Sequence, residues 1–187
     1  MQRLPQEFLS RMKNALGDEY DEFLNSYERD KIQGLRLNTL KCDGSAVFDE
    51  LDLRRITWCD SGYYFNADDR PGKSVLHEGG AFYIQEPSAM AVVESMDIHS
   101  GDKVLDLCAA PGGKSSQIAC KLQGGGLLVS NEIIPSRAKI LSQNIERMGV
   151  RNCIVLNQSP DSLTERFKGM FDKILVDAPC SGEGMFR

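Results

Sequence analysis

From Gly101 onward the chain alternates short apolar runs with longer stretches that are apolar on one side only. The runs predict strands at 103–108, 127–131, 153–157 and 171–177, with helices after Lys114 and after Pro135. The second helix carries Ile134, Ala138, Leu141, Ile145 and Met148 on one stripe and is closed by Gly149. Strand and helix in repeated alternation is the pattern of a parallel sheet with crossover connections. Upstream the pattern is different. Phe8, Met12 and Leu16 recur at spacing four behind Pro5, which fits a first helical position; Gly17 fits a stop, and Asp18 restarts a helix with Phe23 and Tyr27 on one side. After Gly34 the pattern turns to strands. Residues 35–40 alternate, Asp43-Gly44 marks a turn, and 55–59 and 63–65 flank another turn at 60–62. A helix with Met90, Val93 and Met96 on one face leads into the alternating region. The expected division is a small α+β domain over 1–73 and an α/β domain over 74–187.

Composition narrows the class. The chain has 187 residues, 41% of them hydrophobic, and no apolar run near the ~20 residues of a membrane span. The start has no basic stretch leading into an apolar segment, which argues against a signal peptide, so a cytoplasmic location is expected. Six cysteines, Cys42, Cys59, Cys108, Cys120, Cys153 and Cys180, are scattered without a CxxC pair or a nearby His, so they are expected as reduced thiols, with no metal site. The formal net charge is −5. It is uneven: residues 100–187 hold eleven basic against nine acidic side chains, and the acidity lies in the first half. If RNA is a partner, local basic groups must supply the attraction, because phosphate neutralisation dominates such affinity.

Two segments carry chemistry. Asp106-Leu-Cys-Ala-Ala-Pro-Gly-Gly-Lys114 follows the first predicted strand, and Asp177-Ala-Pro-Cys180-Ser-Gly-Glu-Gly184 follows the fourth. In an open α/β sheet the carboxyl ends of neighbouring strands share one crevice. Gly113-Lys114-Ser115 lacks the glycine that a phosphate loop needs at position 108, and GxGxxG is missing. What remains is a strand, the small residues Cys108, Ala109, Ala110, Pro111, Gly112, Gly113 and Lys114, then a helix. Backbone N–H groups at such a helix start can hold a carboxylate, such as the methionine end of S-adenosylmethionine; the plainer alternative is a tight strand-to-helix turn. Glu132, ending the next strand, stands near the offset at which dinucleotide folds place an acid on ribose hydroxyls, the alternative being a charge favoured at a helix start. Ser159 and Asp161 lie where an adenine contact can form, with Asp161 expected as a helix cap. Cys180, beside an acid, suits covalent chemistry on a pyrimidine; a small buried hydrophobe is its structural alternative.

These segments resemble the Sun (Fmu-type) family of RNA 5-methylcytosine methyltransferases, in its bacterial ribosomal RNA branch. Asp106–Lys114 looks like the family's cofactor loop and Asp177–Arg187 like its fourth motif, while Leu35-Arg-Leu-Asn38 and Gly80-Ala-Phe-Tyr-Ile-Gln-Glu-Pro-Ser88 are similar to its upstream signatures. The resemblance implies a class I, Rossmann-like methyltransferase domain with sheet order 3-2-1-4-5, behind a small α+β domain. S-adenosylmethionine is the implied cofactor, and RNA, of the small ribosomal subunit, the implied partner. Residues 108–114 would wrap the methionine and sulfonium end, Glu132 would hold the ribose, and Asp177 would lie between cofactor and target cytosine. In this family the cysteine that attacks C6 of the base belongs to a later motif, and the thiol matching Cys180 assists breakdown of the covalent adduct. The chain is therefore expected to be a C-terminally truncated form, with the last expected strand left as an edge whose Ile174 and Val176 are poorly covered. Two competing functions remain open here: a noncatalytic cofactor- or RNA-binding fragment, and a DNA cytosine methyltransferase with Cys180 as nucleophile.

Overall fold

The computed structural model describes residues 4–29, 31–180 and 182. They fall into two units: the described residues of 1–32 together with those from Pro179 onward, and residues 33–178. In the first, α1 (Gln6–Leu16) and α2 (Tyr20–Ser26) are separated by a single 3-10 turn at 17–19. Pro5 precedes α1 instead of opening it. Its ψ of 137° is extended, although its carbonyl already accepts a bond from Leu9 N–H. The rings of Phe8 and Phe23, and of Phe23 and Tyr27, meet at 6.1 and 5.3 Å, which makes the expected apolar side a ring cluster.

Residues 33–178 hold two sheets. The first uses β1 (Gly34–Leu37), β2 (Arg54–Arg55), β3 (Gly62–Tyr64) and β4 (Phe82–Ile84) in the order β2-β3-β1-β4, all antiparallel. Between β1 and β2 lies α3 (Ser45–Glu50), and α4 (Val75–Glu78) precedes β4. The turn expected at Asp43-Gly44 is the start of α3. Gly44 takes φ +94°, and the Asp43 carboxylate accepts from Ser45 N–H and Oγ. The run 55–59 is strand only at Arg54–Arg55, since Cys59 folds back in a turn onto Ile56 and Gly62. The small sheet takes its fourth strand from 82–84, beyond the expected boundary at residue 73.

The alternation at 35–40 also has a different meaning from an inner and an outer face. β1 stops at Leu37, and all four of its residues are buried because β3 and β4 flank it and both its faces are covered. Leu35 and Leu37 pack with Val47, Leu51, Phe65 and Phe82. Arg36, fully buried, points the other way.

The second sheet follows α5 (Pro87–Glu94), whose Met90 and Val93 are buried. It comprises β5 (Lys103–Asp106), β6 (Leu127–Asn131), β7 (Cys153–Leu156) and β8 (Lys173–Leu175), interleaved with α6 (Gly113–Leu122), α7 (Pro135–Arg147) and α8 (Pro160–Arg166). All pairs are parallel and the order is β7-β6-β5-β8, so strands one and four of the set are neighbours, as the Rossmann-like class requires. Val104, Leu128 and Leu175 face Val93 and α6 in one core. Ala138, Leu141, Ile145 and Met148 bury the predicted stripe of α7. On the opposite sheet face, register aligns Ile174, Leu105, Val129 and Ile154; the two outer members are 58% and 49% exposed. Among the described residues, no helix is long and apolar enough to cross a membrane.

Candidate cofactor site

The loop after β5 is fixed from both sides. Leu107 N–H donates to Leu175 O at the end of β8, and Ala109 N–H donates to Asn131 O at the end of β6. Its carbonyls face α7, where Ala110 O accepts from Arg137 Nη2 and Pro111 O from Asn144 Nδ2, each at 2.8 Å. Gly112 then takes φ +112°, a conformation side chains rarely adopt, and a Cβ there would lie 3.2 Å from Leu141 Cδ1. A Cβ on Gly113 would lie 3.2 Å from the Tyr83 ring. The glycine pair is thus what lets the chain enter α6 between α7 and β4. The first N–H groups of α6 lack intrahelical partners and form an anion-binding end.

Beside that helix start lies a cavity of about 260 Å³ whose wall includes Asp106, Cys108, Lys114, Asp177, Tyr83 and Gln85. Ala109, Ala110, Pro111 and Gly113 line it too, so the cavity gathers most of the predicted loop and Asp177. Lys114 Nζ donates to Asp177 Oδ2 at 2.6 Å, joining the ends of two strands. Glu132 does not line this cavity. It is 2% exposed; Oε1 accepts from Ile134 N–H at 3.0 Å, while Oε2 has no hydrogen-bond partner. Arg137 Nη1 is 3.2 Å from Oε2, close enough for ionic attraction though off hydrogen-bond geometry.

Asp106 was not among the expected site residues. The signal was present: a carboxylate at the end of the apolar strand Val104-Leu105. Its Oδ2 accepts from Ser115 Oγ at 2.7 Å, and Ser115 Oγ lies 2.8 Å from Ser130 Oγ. Oδ1 is buried with no partner. Burial pushes its pKa up to about 6, against the lowering by the Ser115 bond and the Lys114 charge, and the Asp177 charge adds to the rise. The Cys108 thiol is also pushed up, first by burial and then by the charges of Glu132, Asp106 and Asp177. Such a thiol stays protonated and is a wall, not a nucleophile.

Two expectations need correction or placement. Asp161 is not the cap of α8: Ser159 is, its Oγ accepting from Ser162 N–H, while Asp161 sits exposed in the first turn. The register of Pro160 at the first helical position puts Ser159, not Asp161, where the free N–H groups point. Cys180 is exposed and belongs with the first unit. Ser181 and residues 183–187 of the fourth motif lie outside the described residues.

The buried Asp106 Oδ1 and Glu132 Oε2, neither of them hydrogen-bonded, together with the open start of α6, fit the polar groups of S-adenosylmethionine: an ammonium and a ribose diol that donate and a carboxylate that accepts. Residues 4–87 match the model of the N-terminal domain of 16S rRNA methyltransferase RsmF, and residues 93–187 match that of 16S rRNA methyltransferase RsmB/F. The chain is 37% identical to the ribosomal RNA small subunit methyltransferase F of Escherichia fergusonii and to that of Vibrio cholerae, over 98% of its own length and 41% of theirs. A solved methyltransferase homolog protein from Pyrococcus horikoshii superposes with a TM-score of 0.83 at 27% identity, over 98% of this chain and 62% of that one. More than half of the chain matches the second model, in the region that forms the parallel sheet and its loops, and the chain belongs to the RsmB/F family of 16S rRNA methyltransferases.

Proposed function

We propose that these residues form the cofactor-binding half of an S-adenosylmethionine-dependent methyltransferase acting on cytosine C5 in small-subunit ribosomal RNA, in the cytoplasm. The observation that carries this is the meeting of Asp106, the 108–114 loop and Asp177 around one cavity at the carboxyl ends of β5 and β8. When bound, S-adenosylmethionine supplies an electrophilic methyl group. The chain's own groups then divide the work. The start of α6 receives the methionine carboxylate. Asp106 Oδ1 accepts from the ammonium, which favours its ionised form, and Glu132 Oε2 accepts from the ribose. Asp177, held by Lys114, faces the space left for the base and can accept from its exocyclic amine. Cys180 has the role of assisting breakdown of the covalent adduct between base and enzyme.

The chain spans 41% of the length of the curated relatives it matches. Two measurements separate cofactor binding from catalysis. Calorimetric titration with S-adenosylmethionine is expected to show one site; absence of heat would sink the cofactor assignment. In the whole protein, Cys180→Ala is expected to accumulate a protein–RNA band on a denaturing gel. Normal release of methylated RNA by that variant would remove Cys180 from the mechanism.

A further inference from the structure

The cofactor cavity adjoins a second one, and a hydrogen-bonded lysine links that second cavity to a third. Tyr83 and Ile84 are shared with a second cavity of about 400 Å³, whose wall includes His77, Glu78, Asn144 and Arg147. Arg147 is held firmly there. Its Nη1 donates to His77 O at 2.6 Å, its Nη2 to Asn144 Oδ1 at 3.3 Å, and its guanidinium carbon lies 5.8 Å from the Tyr83 ring centre. The Tyr83 hydroxyl makes no hydrogen bond among the described residues, and burial raises its pKa. Lys41 leads onward. Its Nζ donates to Arg147 O and Gly79 O at 2.7 and 2.8 Å, and its side chain helps to wall a third cavity of about 380 Å³ with Arg151 and Asn152. The Lys41 contacts end α7 well on their own, but they leave one ammonium proton and the whole exposed Arg151 head without such employment.

The walls of the second and third cavities carry three cations, Arg147, Lys41 and Arg151, against one carboxylate, Glu78. In a chain of net charge −5 that is a local reversal of sign. A peptide of acidic residues would satisfy the charge but would have no use for an aromatic ring clasped beside an arginine. Single-stranded nucleic acid uses both, phosphates on cations and bases on rings.

We propose that the strip from Tyr83 past Arg147 and Lys41 to Arg151 holds the single-stranded RNA flanking the target nucleotide, with a base against Tyr83 and phosphates on the three cations. This rests on the function proposed above and adds the direction in which the substrate strand leaves the site.

The test is fluorescence anisotropy of a labelled, unstructured oligoribonucleotide with this chain at several salt concentrations. Calorimetry with S-adenosylmethionine and thermal melting are run on the same samples. Arg151→Gln is expected to weaken RNA binding severalfold and to reduce the slope of log affinity against log salt by about 0.7, the share of one phosphate on a single strand. Tyr83→Leu is expected to weaken binding on the order of tenfold with the slope unchanged, because stacking is not ionic. Arg55→Gln, whose partner is Asp60 outside the strip, serves as the control and is expected to change nothing. RNA affinity in Arg151→Gln and Tyr83→Leu equal to that of the unchanged chain overturns the strip. So does an unchanged chain that binds S-adenosylmethionine but no RNA, a result that leaves the cofactor reading standing. An acidic peptide that displaces the RNA and loses affinity equally in Tyr83→Leu also overturns it, in favour of a protein partner.

Discussion

Two polar regions meet the first turns of α6, and only one of them is complete. In that one, the buried Arg36 donates from all three nitrogens: Nε to Gln85 Oε1 at 3.1 Å, Nη1 to Cys120 Sγ at 3.4 Å, and Nη2 to Ser116 Oγ at 2.7 Å. Asn38, also buried, donates to Gly80 O and Met148 O and accepts from Leu40 N–H. At the strand ends, Asp106, which lines the cavity, and Glu132, which does not, are as deeply buried yet each keeps a carboxylate oxygen with no hydrogen bond. A saturated buried network is a joint. Here it fastens the small sheet to the helix that carries the glycine loop. An unsaturated one is costly to keep, by roughly 1–3 kcal/mol per stranded group, and persists where a ligand completes it.

Breaking the joint is expected to have the largest effect. Arg36→Ala takes the donor from Gln85 Oε1 and Ser116 Oγ and leaves a cavity, so it is expected to lower stability by about 3 kcal/mol in urea unfolding. A midpoint unchanged from the parent would show that the network contributes nothing. Glu132→Gln keeps the shape of the side chain while removing its charge. It is expected to weaken S-adenosylmethionine about tenfold in calorimetry, the value of one charge-assisted bond, with stability altered by less than about 1 kcal/mol. Equal affinities would take Glu132 out of the site.

The third effect depends on pH. Asp106 binds a cation only when ionised, and its folded pKa is raised to about 6, first by burial. S-adenosylmethionine affinity is therefore expected to fall as pH drops through about 6, and to lose this dependence in Asp106→Asn. The stability linkage runs in the opposite sense. A carboxyl group with its folded pKa raised favours the fold below its unfolded value, and that contribution is lost as pH rises through about 6. Melting of Asp106→Asn against the parent across this range checks the sign. The smallest effect belongs to Lys114→Gln. Asp177 in that pair is 57% exposed, so the loss in stability is expected to stay below about 1 kcal/mol while cofactor affinity shifts more. A larger loss in melting than in binding would make the pair a structural clamp.

Much of this was legible in the sequence, for a local reason. Period and punctuation are properties of neighbouring residues, so the four parallel strands, the stripe of α7 and the glycine pair of the loop were readable from 101 onward. The small sheet was harder to read. The 55–59 run looks like a strand, but whether a run pairs depends on partners far along the chain, and Cys59 folds back onto Ile56 and Gly62 instead. Ser159 in place of Asp161 as the cap of α8 is a register difference of two residues, beyond what composition resolves.

By itself the sequence determined the order of elements, the loop that faces the crevice and the family resemblance, because each is carried by consecutive residues. Only the tertiary structure decided which polar groups are finished. Arg36 in Leu35-Arg-Leu-Asn38 and Asp106 in Val104-Leu105-Asp106 look alike as polar residues next to apolar ones. One is saturated by groups 49 to 84 residues away, and the other is left with a bare oxygen. Hydrogen-bond satisfaction is a sum over neighbours in space, and those neighbours exist only once the two sheets and α6 have come together.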